Sequence, residues 1–291
     1  MAATRSPADS MALMARETRW HYGPVPRELG GQPIPADSRL FAQGQFVLRT
    51  LSGYGYHYVP GEGITIEQPE VGDPDEQALW LNGSVYAAAA CLNGFFPLHA
   101  SAIADQGQVV AFTGATGAGK STLVAALGQR GWPMFCDDTL LLDLADPARI
   151  MALPGHKRLK LTGEALAMLG IAAEQPVGAD TGKSYAAPPA GDWCEPLPLT
   201  VLVFLEDGEE PDWLEVAGAA RFARLADDHY TRELYLEAQR PDRASQFGLR
   251  SRLAGQIAMA RLVRPRSAAG FAASLDLAEA RLQEMGREFQ P

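Results

Sequence analysis

An apolar run, Val109-Val110-Ala111-Phe112-Thr113, leads directly into Gly114-Ala115-Thr116-Gly117-Ala118-Gly119-Lys120-Ser121-Thr122. This is the G-x-x-x-x-G-K-S pattern, and the residue types in it suit one task, the holding of phosphate groups. Glycines 114, 117 and 119 let the backbone turn so tightly that successive N–H groups point at a single anion. Lys120 is placed to reach the outer phosphates, and the Ser121 hydroxyl to touch a divalent cation. The implied ligands are ATP and Mg²⁺, with Gly114 to Thr122 as the nucleotide-binding residues. The context agrees, because Gln108 to Thr113 reads as a buried strand and Ser121 to Gln129 as a helix whose N-terminus favours negative charge.

Sixteen residues separate Lys120 from Asp137, enough for a helix, a turn and a short strand, Met134-Phe135-Cys136. If that strand lies beside the loop strand, Asp137 and Asp138 emerge near the γ-phosphate. One carboxylate can then orient Mg²⁺ while the other accepts a hydroxyl proton. The plainer alternative is a solvated acidic turn. His99, between Leu98 and Ala100, falls on a neighbouring strand, where a histidine is ordinarily a satisfied core residue. Pro154-Gly155-His156-Lys157-Arg158-Leu159-Lys160 concentrates cations, and Lys157 with Arg158 could clamp phosphates or an acidic peptide. Lys183 and the Arg232 of His229-Tyr230-Thr231-Arg232 are isolated cations suited to surface roles.

The elements that position these residues follow from periodicity. Met1 to about Arg19 lacks a strand period, and residues 1–20 read as a flexible arm. Residues 21–94 read as a β-rich section, with Phe46-Val47-Leu48, the alternating Tyr54, Tyr56 and Tyr58, then Ile64 and Ile66 between Gly and Pro breaks. The aromatic ladder predicts a packed sheet face. After Asn82-Gly83-Ser84, Val85 to Leu92 predicts a supporting helix stopped by Asn93-Gly94. Phe95 to Ile103 predicts an apolar strand, and Asp105-Gln106-Gly107 a turn into the loop strand.

Residues 95–265 form the expected core around the phosphate loop. Thr139 to Leu144 and Leu199 to Leu205 read as strands, and residues 186–198 as a surface connection. Ala244 to Val263 and Ala272 to Phe289 read as helices, the latter with Leu275, Leu282, Met285 and Phe289 on one face and packing on the core as a unit over 266–291. The fold class is α/β, a phosphate-loop mixed sheet flanked by helices with a small β-rich N-terminal section.

The 291 residues, 47% hydrophobic, suffice for a sizeable core. A formal charge of -10 argues against a nucleic-acid partner, which would require a concentrated basic face. Cys91, Cys136 and Cys194 are odd in number and far apart, without metal or redox spacing, and read as reduced packing residues. No apolar stretch is long enough for a membrane span or a secretory signal, so the expected location is the cytoplasm.

Leu98-His99-Ala100-Ser101, the phosphate loop, and Arg130-Gly131-Trp132-Pro133-Met134-Phe135-Cys136-Asp137-Asp138 together resemble the core of HPr kinase/phosphorylase and its bacterial relatives. The resemblance covers residues 95 to 145, with weaker agreement at Pro154 to Leu161 and at Leu199. It implies the fold shared with PEP carboxykinases and phosphoryl transfer from ATP to a serine of a peptide or small protein. It further implies Asp137 as general base, Asp138 on Mg²⁺, His99 and Lys120 at the transferred phosphate, and leaves a homo-oligomer open. The glutamate- and arginine-bearing segment of the HPr enzymes and their usual N-terminal domain are not recognisable here. The implied acceptor is therefore closer to that of stand-alone kinases that phosphorylate the C-terminal serine of ribosomally made precursors such as lasso peptides. A slow regulatory ATPase, or a kinase of a small hydroxylated metabolite, would use the same core.

Overall fold

The loop strand, Gln108–Thr113, is buried along its whole length because helices cover both faces of its sheet. In the computed structural model, which describes residues 5–178, 181–225 and 230–288, the chain is mixed α/β. Ala100–Asp105 pairs antiparallel with one edge of the loop strand and Leu197–Asp207 parallel with the other. Val110 and Phe112 face a cluster that includes Leu123 and Leu127 of helix Lys120–Gln129 and Leu275 and Leu282 of helix Ala268–Glu288. Val109 and Ala111 face the opposite cluster, with Leu253 of helix Arg243–Gln256. Alternation of side chains across the strand thus feeds two cores at once.

Met134–Cys136 does not lie directly beside the loop strand. It pairs antiparallel with Ala100–Asp105, which lies between them. Two strands antiparallel to the same partner run in the same direction, so Asp137 still leaves the sheet at the end where the glycine loop begins. The apolar run 95–103 is also divided. Phe96–Leu98 pairs with Leu140–Asp143, whereas Ala100–Asp105 pairs with the loop strand, leaving His99 at the branch.

The predicted helix over 244–263 is corrected: Arg243–Gln256 is helical, but Ala258–Arg264 is a strand parallel to Leu197–Asp207. Tertiary pairing overrides local propensity here, burying Met259, Ala260 and Leu262. Met285 packs at the margin of the core through the last helix, and Phe289 lies outside the described residues.

The front sheet runs in the order Trp20–Tyr22, Gly63–Glu67, Gly55–Val59, Gln45–Arg49, Ser38–Ala42. Tyr54, Tyr56 and Tyr58 are buried, and the first two donate hydroxyls to Asp73 O at 2.8 Å and Gln77 O at 3.3 Å. The helical segment they contact begins well before the predicted Val85. It comprises Pro74–Trp80, a π-turn Leu81–Val85, and Tyr86–Leu92 without interruption. Asn82-Gly83-Ser84 is absorbed as the π-turn, a widened helical turn often found at functional sites. Among the described residues no helix is long and apolar enough to cross a membrane. Cys91 and Cys136 are buried and Cys194 exposed, all unbridged.

Within the expected flexible arm, Pro7–Glu17 is instead a docked helix, capped by Ser6 and Asp9 and anchored by buried Met14, and residues 1–4 lie outside the described residues. Ser10 Oγ donates to Asp143. Glu17, 1% exposed, accepts from the Tyr58 hydroxyl and the Gly61 N–H, both at 2.7 Å, and from Arg16. Burial works against its charge, but the Gly61, Tyr58 and Arg16 donors outweigh it and hold its pKa below the ordinary value. A carboxyl depressed in the folded state stabilises above its unfolded pKa and loses that contribution as pH falls through the folded value. Glu17→Gln should therefore cost about 1–3 kcal/mol at neutral pH, with the deficit shrinking in acid. Urea unfolding at pH 7 and pH 3 measures both; an equal deficit at the two pH values would contradict the charged role.

Candidate functional site

Gly114, at φ 152°, is the first residue after the loop strand. A Cβ there would stand 2.9 Å from Leu205 O, so the chain can pass under Leu197–Asp207 only as glycine. The loop closes with Ala118 N–H donating to Ala115 O at 2.9 Å, and Gly119 in the left-handed region begins helix Lys120–Gln129. Lys120 Nζ donates back to Gly114 O at 2.9 Å and Ala115 O at 3.2 Å. Its ammonium is therefore held at the loop by the loop's own carbonyls. Burial lowers the Lys120 pKa to about 8, against the opposing pull of Asp137 and Asp138.

Asp137 is 1% exposed and tied to three elements. Its Oδ1 accepts from Ser101 Oγ at 2.5 Å and Ser121 Oγ at 2.8 Å, and its Oδ2 from the Lys160 backbone N–H at 2.9 Å. The Ser121 contact joins the strand-end acid to the first turn of the loop helix. Asp138 adopts φ 75°, uncommon for a non-glycine residue, and its carboxylate turns the other way, toward an open cavity. Its carbonyl accepts from His99 Nδ1 at 2.9 Å, and since a carbonyl cannot donate, Nδ1 carries the proton. Asp138 Oδ2 accepts from Lys160 Nζ at 2.8 Å. Burial opposes the Asp138 charge, yet Lys160, His99 and Lys120 together keep its pKa below normal. Lys160 is raised in turn, its desolvation outweighed by Asp138.

Of the residues expected at the site, the structure brings together the glycine loop, Lys120, Ser121, Asp137, Asp138 and His99. It does not bring Lys157 or Arg158. Lys157 Nζ donates to Phe135 O at 2.7 Å and to Trp193 O. Arg158 pairs with Glu174 at 2.8 Å and lies over the Tyr185 ring. The cation supplied by that stretch is Lys160, whose neighbours Leu159 and Leu161 are buried on the opposite side of strand Leu159–Thr162. The alternation Leu-Lys-Leu is the signal that singles it out.

Lys183, on the paired strand Lys183–Ala186, also faces the cavity, whereas Arg232 lines a different one. His229 lies outside the described residues. A second cation missed by sequence reasoning is Arg264, 7% exposed at the end of strand Ala258–Arg264. Its guanidinium packs on the loop so closely that a Cβ on Gly119 would stand 3.0 Å from Nη2, and its Nε is buried without a hydrogen-bond partner. Burial lowers its pKa.

The cavity beside Asp138 has a volume of about 430 Å³ and is lined by Thr116, Lys160 and Lys183 and by Leu79, Trp80, Gly83 and Ser84 of the helix–π-turn segment. Thus the glycine loop, a buried acid touching Ser121, and a second acid lining a cavity occupy one corner of the molecule.

No family model matches the chain, and no curated protein matches it. Among solved structures it is similar to the Hpr(Ser) kinase/phosphatase from Coxiella burnetii, at 13% identity and a TM-score of 0.32, covering 65% of this chain and 98% of that one.

Proposed function

We propose that this chain is an ATP-dependent phosphotransferase of the HPr kinase-like type that moves the γ-phosphate to a serine hydroxyl of a peptide or small protein. The observation that carries the reading is the 2.8 Å contact between Asp137 and Ser121 at the start of the loop helix, with Asp138 facing the cavity one residue on. A loop for a triphosphate alone would suit many activities. A second, outward-facing carboxylate at the same corner is what a transfer site needs.

The donor set fits Mg²⁺. Ser121 and Asp137 offer hard oxygen ligands, and among the described residues no cluster of three or more His, Cys, Asp or Glu could cage a metal. Mg²⁺ typically takes one or two protein oxygens and completes its shell with phosphates and water. When bound, it neutralises charge on the phosphate oxygens.

The chain's own groups divide the remaining work. Loop N–H groups and Lys120 hold the phosphates, the ammonium exchanging the Gly114 and Ala115 carbonyls for phosphate oxygens. Asp137, with its oxygens engaged by Ser101, Ser121 and Lys160, fixes the Ser121 hydroxyl. This supports a division opposite to the one the family resemblance implies: Asp137 on the metal side, Asp138 as the base. As the acceptor oxygen bonds to the γ-phosphorus, the bond from phosphorus to the β–γ bridging oxygen breaks. The hydroxyl proton passes to Asp138, and the nucleoside diphosphate leaves with the electron pair. His99, donating to the Asp138 carbonyl, and Lys160, paired with its carboxylate, keep that group aimed.

Incubation with γ-labelled ATP and peptides bearing serine, a precursor ending in serine among them, should place label on the peptide. Label found only in free phosphate would instead select the regulatory ATPase, and label on small polyols alone the metabolite kinase. Asp138→Asn should retain nucleotide affinity within a few fold and lose transfer by about 10²- to 10⁴-fold. Asp137→Asn sets an NH₂ group among three donors and should lower stability by about 1–3 kcal/mol. Isothermal titration, transfer kinetics and urea unfolding separate the two variants; normal transfer by Asp138→Asn would refute the base assignment.

A further inference from the structure

The cavity at Asp138 has two chemically different walls. One is cationic: Lys160 and Lys183, with Thr116 of the glycine loop. The other comes from the front section, where Leu79 and Trp80 end helix Pro74–Trp80 and Gly83 and Ser84 belong to the π-turn. That wall carries no charged side chain. Asp138 lies between them, and a Cβ on Gly83 would stand 3.8 Å from Asp138 Oδ2. Gly83 needs no unusual backbone conformation, since it is helical. Its missing side chain therefore leaves free space beside the carboxylate rather than relieving strain.

A triphosphate belongs against the cations, and whatever group meets Asp138 from the other side lies on the neutral wall. An acceptor carrying its own phosphate or several hydroxyls would leave polar groups unmatched against Leu79 and Trp80, which is costly. A hydroxyl on a residue with an apolar neighbour matches it. We infer that the helix–π-turn wall formed by Leu79, Trp80, Gly83 and Ser84 is the acceptor subsite, and that it takes a peptide serine flanked by an apolar side chain. This inference rests on the phosphotransferase reading and adds the front section to the site as its acceptor half. Val177, buried, and Thr181 complete the lining beside Leu79, and a Cβ on Gly178 would stand 3.4 Å from Leu79.

The test compares peptides that differ only beside the serine: leucine, aspartate or lysine. The native protein should favour the leucine peptide at least tenfold in kcat/KM. Gly83→Ala adds one methyl beside Asp138 at ordinary contact distance, so it should fold with unchanged nucleotide affinity and raise the acceptor KM about tenfold. Leu79→Glu should shift preference toward the lysine peptide. Equal use of all three peptides by the native protein, or an acceptor KM unaltered in Gly83→Ala, would overturn the subsite while leaving the kinase reading intact. Binding of Mg·ATP with transfer to none of the peptides would overturn the peptide-kinase reading and the subsite with it.

Discussion

The buried carboxylate of Asp137 is the interaction on which the site depends. It draws a strand residue, Ser101, a helix residue, Ser121, and the backbone N–H of Lys160 on strand Leu159–Thr162 onto one side chain. Removed from water, such a group is tolerated only when its lone pairs are met by donors. Meeting them fixes the distance from strand end to loop helix, which no amount of apolar packing could specify as narrowly. The next residue then has little choice. With Asp137 turned inward, the left-handed backbone at Asp138 swings its carboxylate outward and its carbonyl onto His99.

At the same corner Lys120 rests on loop carbonyls and Lys160 on Asp138, so both ammonium groups are already held by acceptors of the chain. A triphosphate offers better acceptors than backbone carbonyls, and exchange of partners costs less than creation of new ones in a low-dielectric site. Arg264, packed on Gly119, adds a further positive charge behind the loop.

How much of this was legible in the sequence varies with range. The glycine loop and paired acids could be read because local order dictates them: strand, turn, helix and short strand leave few ways to separate Lys120 from Asp137. Lys157 and Arg158 were misplaced because adjacent cations look alike until strand pairing decides which one faces the site, and the buried Leu159 and Leu161 select Lys160. Arg264 was hidden by reading 244–263 as one helix, when the vacant edge of Leu197–Asp207 makes its second half a strand. The front section looked like an accessory because Asn82-Gly83-Ser84 reads as a break. Only packing against the tyrosine ladder shows that the helix continues through it and carries Gly83 to Asp138.

The central claim is that two adjacent aspartates hold opposite posts, Asp137 with Ser121 on the metal side and Asp138 at the acceptor. Its most direct measurement is nucleotide affinity with and without Mg²⁺ in the native protein, Asp137→Asn and Asp138→Asn. The account predicts that Mg²⁺ tightens binding in the native protein and in Asp138→Asn but not in Asp137→Asn. The reverse pattern, with the Mg²⁺ effect kept in Asp137→Asn and lost in Asp138→Asn, would contradict it.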